Sequence, residues 1–102
     1  GGYSSQMIDD QLANGHALTL VDVDGDGTDE IVAGGNRSSQ SLYFYKAADA
    51  TSQVWKRYQM DDHMAPAACA TADIKGAGRA TDVVCLDMRE PGWLKWYEYK
   101  GR

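Results

Sequence analysis

The sequence predicts an all-β fold built from two four-stranded antiparallel units, and three observations point there. The chain repeats itself at an offset of 51 and then 52 residues. Each copy consists of short runs of β-branched and aromatic residues separated by Gly, Asp, Asn and Ser. No segment sustains the apolar period of a long helix. The repeat decides the architecture. With Asp22 set over Asp73, LTLVDVDGDG (18–27) lies over CATADIKGAG (69–78), so Gly25 and Gly27 meet Gly76 and Gly78. One residue is inserted after Arg79. Beyond it Ile31-Val32 meets Val83-Val84, Arg37 meets Arg89, and Leu42-Tyr43-Phe44-Tyr45 meets Leu94-Lys95-Trp96-Tyr97. Upstream, Met7-Ile8-Asp9-Asp10 resembles Met60-Asp61-Asp62.

Taken in order, a first strand is expected near 4–9. Copy one then gives strands near 17–23, 30–34, 41–47 and 53–60, and copy two near 67–74, 82–87 and 93–99. Ala47-Ala48-Asp49-Ala50 reads as a loop between strands. With the strands of one unit labelled A to D from the inside outward, the chain runs D-A-B-C-D-A-B-C. That is the phasing of two β-propeller blades. Residues 1–102 form a single unit, with the first blade repeat at 10–52 and the second at 62–102. Two blades do not close a ring, because propellers use about four to eight. The pairs Ile31-Val32 and Val83-Val84 do not alternate with polar residues, so both faces of each blade call for cover. The expected partners are therefore copies of the chain itself or adjoining blades of a longer parent chain. A trimer would supply about six blades and a tetramer about eight. The first strand would complete a neighbouring blade and remove an unpaired edge.

Composition agrees with a single soluble domain: 102 residues, 43% hydrophobic and 25% charged. The chain opens on Gly1-Gly2, which suggests a processed product, an excised fragment or an engineered piece. No apolar run approaches the ~18 residues of a membrane-spanning helix, and no signal peptide is recognisable, so membrane insertion is not expected. A net charge of −5 repels nucleic acid and anionic membranes, which sets both aside as partners. Five of the 15 acidic residues fall in one loop, 22–30, and four of them (Asp22, Asp24, Asp26 and Glu30) are the expected ligands of one site.

That loop carries the chemistry. DVDGDGTDE (22–30) places carboxylates at its first, third and fifth positions (Asp22, Asp24, Asp26), glycine at the sixth (Gly27) and Glu30 at the ninth. A hard cation such as Ca2+ takes six to eight oxygens at about 2.4 Å. Alternating aspartates in a tight loop aim several oxygens inward, Gly27 permits the bend, and the carbonyl of Thr28 offers another ligand. Magnesium suits the loop less, because it demands octahedral geometry and retains water. The competing reading is an acidic hairpin turn without an ion, since Asp-Gly also favours turns. The expected role of the ion is structural: it clamps the A–B turn. In the second copy Asp73 is kept, but Lys75 and Ala77 replace the third and fifth acids. Lys75 is expected to place its ammonium where the ion would sit, paired with Asp73 or Asp82, or else to lie free on the surface. Either way the second loop is expected to be metal-free.

The loop and its following apolar strand, DVDGDGTDEIVAGG (22–35), resemble FG-GAP/VCBS repeats, and the likeness covers nearly the whole chain. The resemblance implies calcium-binding propeller blades of secreted or cell-surface proteins, a family that includes integrin-like heads, sugar-binding fungal lectins and propellers of carbohydrate-active enzymes. The segment MAPAACATADIKGAGRATDVVCLDMREPGWLKWYEYKG (64–101) is also similar to the cupin-linked propellers of aldos-2-ulose dehydratase-like sugar enzymes. The departures at Lys75 and Ala77 bear on calcium in the second blade and leave the fold expectation intact.

In a propeller the A–B turns lie at one end, and the D–A and B–C connections at the other. The second end should carry His16, His63, Arg37 and Arg89, with Trp93 near Arg89, a set suited to sugar hydroxyls or carboxylates. Each also has a plainer reading. A histidine at a strand start is commonly a satisfied polar residue, and both arginines can brace their turns. The strand C aromatics Tyr43, Phe44, Tyr45, Trp96 and Tyr97 are expected in interblade packing, and Trp55 in the outer strand. The two cysteines, Cys69 and Cys85, lack metal spacing and sit in apolar stretches that suit buried free thiols. The alternative is a cross-strand disulfide, because a hairpin centred between 77 and 78 brings them near one another.

Three functions follow. The first is a calcium-stabilised propeller module, secreted or extracellular, serving as scaffold or carbohydrate-binding unit. The second is a fragment of a metal-assisted sugar dehydratase or lyase, in which His16 or His63 takes part. The third is a propeller fragment that assembles as a homo-oligomer with no chemistry of its own. No GxSxG or HExxH motif supports catalysis, and no catalytic residue is assigned.

Overall fold

A computed structural model of the chain describes residues 2–35, 40–49, 51, 54–89 and 92–100. Among the described residues there is no helix, and seven strands form two antiparallel sheets. The first holds β1 (Gly15–Val21), β2 (Glu30–Gly35), β3 (Ser41–Ala47) and β4 (Trp55–Asp61), in the order β1-β2-β3-β4. The second holds β5 (Pro66–Ala72), β6 (Asp82–Asp87) and β7 (Leu94–Tyr97), in the order β5-β6-β7. Each sheet is a meander, which is the topology that short connections impose on successive strands.

One expected strand is absent. Residues 2–14 pair with no strand, so the order is A-B-C-D followed by A-B-C rather than D-A-B-C-D-A-B-C. A strand exists only where an edge accepts its backbone groups, and the segment near 4–9 has no such edge beside it. It is held instead by Asp9, whose carboxylate accepts a hydrogen bond of 2.6 Å from the Tyr45 hydroxyl.

Period-2 alternation sorts the first sheet into two faces. One row across it runs Thr19, Val32, Phe44, Tyr58, and Phe44 stacks on Tyr58 at 4.8 Å between ring centres. That face meets the second sheet. Val21, Val32, Leu42 and Phe44 join Met64, Val83 and Cys85 in the core, with Tyr58, Met60, Cys69, Tyr97 and Tyr99 packed around them. The sheets lie closest at β1 and β5. Of the strand C aromatics, Phe44 and Tyr97 pack between the sheets. Tyr43 and Tyr45 alternate to the outer face of the first sheet, and Trp96 lies on the open face of the second.

Cys69 and Cys85 are direct partners in the β5–β6 ladder and form a disulfide, which replaces the expectation of free thiols. The sequence separation is 16. Loop-closure entropy for that span is worth about 3 kcal/mol.

Gly34 marks where the two sheets press together. A Cβ there would stand 2.6 Å from Pro66 Cγ and 2.7 Å from the Ser41 carbonyl oxygen, and the latter cannot rotate away. Gly34→Ala is therefore expected to cost about 1–3 kcal/mol. A thermal melt should fall by several degrees, at about 4–8 °C per kcal/mol for a domain of this size.

Candidate metal centre

The β1–β2 turn is organised by one carboxylate. Asp22 Oδ1 accepts the backbone N–H of Asp26 at 3.0 Å, and Asp22 Oδ2 accepts that of Gly27 at 2.9 Å. Gly25 and Gly27 take φ values of 72° and 94°, which side-chain-bearing residues rarely adopt. The β5–β6 turn is built the same way. Asp73 accepts the N–H groups of Ala77 at 2.8 Å and Gly78 at 2.9 Å, and Gly76 and Gly78 have φ of 71° and 94°. A second acid closes each turn from the next strand. Glu30 Oε1 accepts the Val23 N–H at 3.0 Å, as Asp82 Oδ2 accepts that of Ile74 at 3.4 Å. Arg79 reaches between the turns and donates to the Gly25 carbonyl at 3.1 Å.

The second turn thus serves as an internal control. It keeps the backbone of the first without acids at the positions of Asp24 and Asp26, so those two residues are not needed to shape the loop. In the first turn, oxygens of Asp22, Asp24, Asp26 and Glu30 all lie within 4.8 Å of one another. At that separation two carboxylates repel by about 3–4 kcal/mol at an effective dielectric of about 20. Glu30 is 1% exposed, and among the described residues its Oε2 has no hydrogen-bond partner. Burial, together with the neighbouring Asp24, pushes its carboxyl up to about 7. Thr28 donates through both N–H and Oγ1 to Asp26 Oδ1, each at 2.9 Å, which aims that carboxylate.

The cation beside this cluster is Lys46, at the end of β3. Its ammonium lies 2.7 Å from Asp24 Oδ2, bonds Asp26 Oδ2, and stands 3.7 Å from Glu30 Oε2. These carboxylates hold the lysine above its usual range, and Asp26 is held below its own, with Lys46 the largest cause. Lys46 was not anticipated from the sequence, although the repeat contains the signal: its counterpart at offset 52 is Glu98. Lys75, the counterpart of Asp24, pairs with Glu98 and not with Asp73 or Asp82 as expected. The same ion pair thus stands in both repeats with its charges exchanged. It accounts for Asp24, but it leaves Asp26 and the Oε2 of Glu30 in excess.

The other expected residues lie at the opposite end. Arg89 donates to both oxygens of buried Asp87, to the His63 carbonyl at 3.0 Å and to Gln40 at 3.1 Å. Its guanidinium also stands 4.4 Å from the Trp93 ring centre, and Lys95 stands 4.6 Å from the same ring. His16 Nδ1 donates to the Ala67 carbonyl at 3.1 Å, and His63 Nδ1 bonds Asp62 at 2.6 Å. Arg37 falls outside the described residues. His63, Arg89 and Trp93 do come together there, with Arg89 as the brace. An Asp61-Asp62-His63 cluster could also face an ion, but Asp61 is committed to Lys95 at 2.8 Å and Tyr97 at 2.6 Å.

Comparison with protein families, curated proteins and solved structures gave no match.

Arg89, with backbone N–H donors from Arg89 and Ala65, holds the Asp87 carboxyl below the usual range. A depressed folded-state value means that the stabilisation is fully present above the unfolded value of about 3.9 and is lost as pH falls through the folded value. The melting temperature should therefore drop steeply below about pH 4. Asp87→Asn should lower stability at neutral pH and flatten that acid limb, as read from melts between pH 2 and 7.

Proposed function

We propose that the chain is a calcium-stabilised β-propeller module of the FG-GAP/VCBS kind, a scaffold that completes its ring with copies of itself or with adjoining blades. Asp22, Asp24, Asp26 and Glu30 supply carboxylate oxygens and Thr28 a backbone carbonyl, a hard all-oxygen set that suits Ca2+. One observation carries the reading. Two turns share one backbone, yet only the first adds an acid at position 26 and a buried carboxylate oxygen that, among the described residues, accepts no hydrogen bond. One ammonium leaves four carboxylates under-neutralised, whereas a divalent ion would meet Glu30 Oε2 directly. The ion fixes the turn, and through it the β1–β2 register. Lys46 vacates the cluster when the ion enters.

The disulfide suits an oxidising compartment, in keeping with an extracellular module. Carbohydrate recognition remains a subsidiary reading for the opposite end, where Trp93 is 44% exposed. The enzyme-fragment reading gains no support from His16 and His63, each held by its own partner.

Calcium should raise the melting temperature and EDTA should reverse the rise. At a free concentration 100 times Kd the gain is about 2.7 kcal/mol. Glu30→Gln and Asp26→Asn should abolish the shift while the Asp22-centred turn persists. A wild-type melt indifferent to calcium would refute the site. Lys46→Met should lower the melt in EDTA and tighten calcium binding in titration calorimetry. Weaker binding would mean that the lysine supports the ion instead of competing with it.

A further inference from the structure

The N-terminal segment is tied to the first sheet by a contact that occurs twice. Asp9 accepts from the Tyr45 hydroxyl at 2.6 Å, and Asp61 accepts from the Tyr97 hydroxyl at 2.6 Å. Tyr45 and Tyr97 are repeat counterparts at offset 52, and so are Asp9 and Asp61. Asp61 is the last residue of β4, the fourth strand of the sheet that precedes Tyr97 in the stack. By the same relation, residues 3–9 correspond to β4 itself (55–61), and Asp9 ends the fourth strand of a sheet that would stand before the first. The second sheet is one strand short: among the described residues no strand lies on the outer edge of β7.

The faces obey the same rule. The face of the first sheet that covers the second carries Ala17, Thr19, Val32, Gly34, Leu42 and Phe44. Their counterparts Ala68, Ala70, Val84, Leu86, Leu94 and Trp96 form the open face of the second sheet, where Leu94 is 70% and Leu86 51% exposed. The far face of the first sheet exposes Leu18 and Leu20, counterparts of Cys69 and Thr71, which lie on the covered face of the second. Between the sheets, beyond β7, a cleft of about 350 Å³ is lined by Phe44, Tyr58, Met60, Tyr97 and Tyr99, where a fourth strand of the second sheet would run.

We propose that residues Tyr3–Asp9 of a second copy of this chain add to β7 as the missing fourth strand, while that copy's Leu18–Leu20 face covers Leu86, Leu94 and Trp96. The β3–β4 register carries over, so Trp96 opposes Gln6 of the second copy. Tyr3 and Met7, both exposed in the single chain, then enter the aromatic cleft, where a methionine packs favourably on rings. The chain cannot do this for itself, because Asp9 is pinned on the far side of the first sheet. The contact is head-to-tail, so it propagates from copy to copy. This inference rests on the propeller-module reading but not on its calcium.

Native mass should show multiples of 11.2 kDa. Tyr3→Asp/Met7→Asp (strand side) and Leu86→Asp/Leu94→Asp (receiving side) should each give only monomer, with the melting temperature of a folded chain, since all four residues are exposed. Mixed in equal amounts, the two variants should form a one-to-one dimer and nothing larger, because one intact junction remains. A wild-type chain that is monomeric at millimolar concentration, or a mixture that stays monomeric, would overturn the proposal. Run with calcium and with EDTA, the same samples separate the two readings. Loss of assembly with the calcium-dependent melt retained defeats only this inference; assembly with a melt indifferent to calcium defeats only the metal site.

Discussion

Two aspartates set the geometry on which both sheets depend. Each takes two consecutive backbone N–H groups of a tight turn onto one carboxylate, at Asp22 and at Asp73. Hydrogen bonds to a charged acceptor contribute about 1.5–3 kcal/mol each. They also allow only one turn length, and turn length fixes register. A slip of one residue would send Val32 and Val83 to the wrong face and empty the space between the sheets. Glu30 and Asp82 then lock the strand that follows, each by accepting one more N–H from the far side of the turn.

The two ends of the molecule handle acidity differently. At the end away from the turns, Asp87 is buried but fully satisfied, because Arg89 surrounds it with a fork of donors and backbone N–H groups complete the set. A carboxylate so supplied needs no further cation. At the turn end, Lys46 is a point charge serving three carboxylates, and one oxygen of the most buried of them is left over. A planar guanidinium matches a carboxylate two bonds at a time, whereas an ammonium does not. The contrast explains why, among the described residues, Glu30 keeps a buried oxygen without a hydrogen bond while Asp87 does not.

Much of the fold was readable from local pattern. Glycines at 25, 27, 76 and 78 matched across the repeat at the two turns, and runs of β-branched and aromatic residues placed all seven observed strands within a few positions. The features that escaped are those that depend on distant partners. The segment near 4–9 has strand composition, but composition cannot say whether a neighbouring edge exists. The disulfide was legible only as the alternative to free thiols, because choosing between them needs a register exact to one residue. Lys46 is about twenty residues from the loop it serves. Only the swap with Glu98 across the repeat betrays it, and the Asp9–Tyr45 contact became intelligible only beside Asp61–Tyr97.

The placement of the Cys69–Cys85 bond has a consequence for how the chain responds to reductants. Cys85 is fully enclosed and Cys69 lies against the core between the sheets. A thiolate must line up with the sulfur pair before exchange can begin, and with Cys85 enclosed the approach narrows to the side of the half-buried Cys69. Exchange is therefore expected to begin at Cys69 and to release the Cys85 thiolate into the apolar space between the sheets, which slows it relative to a fully exposed bond.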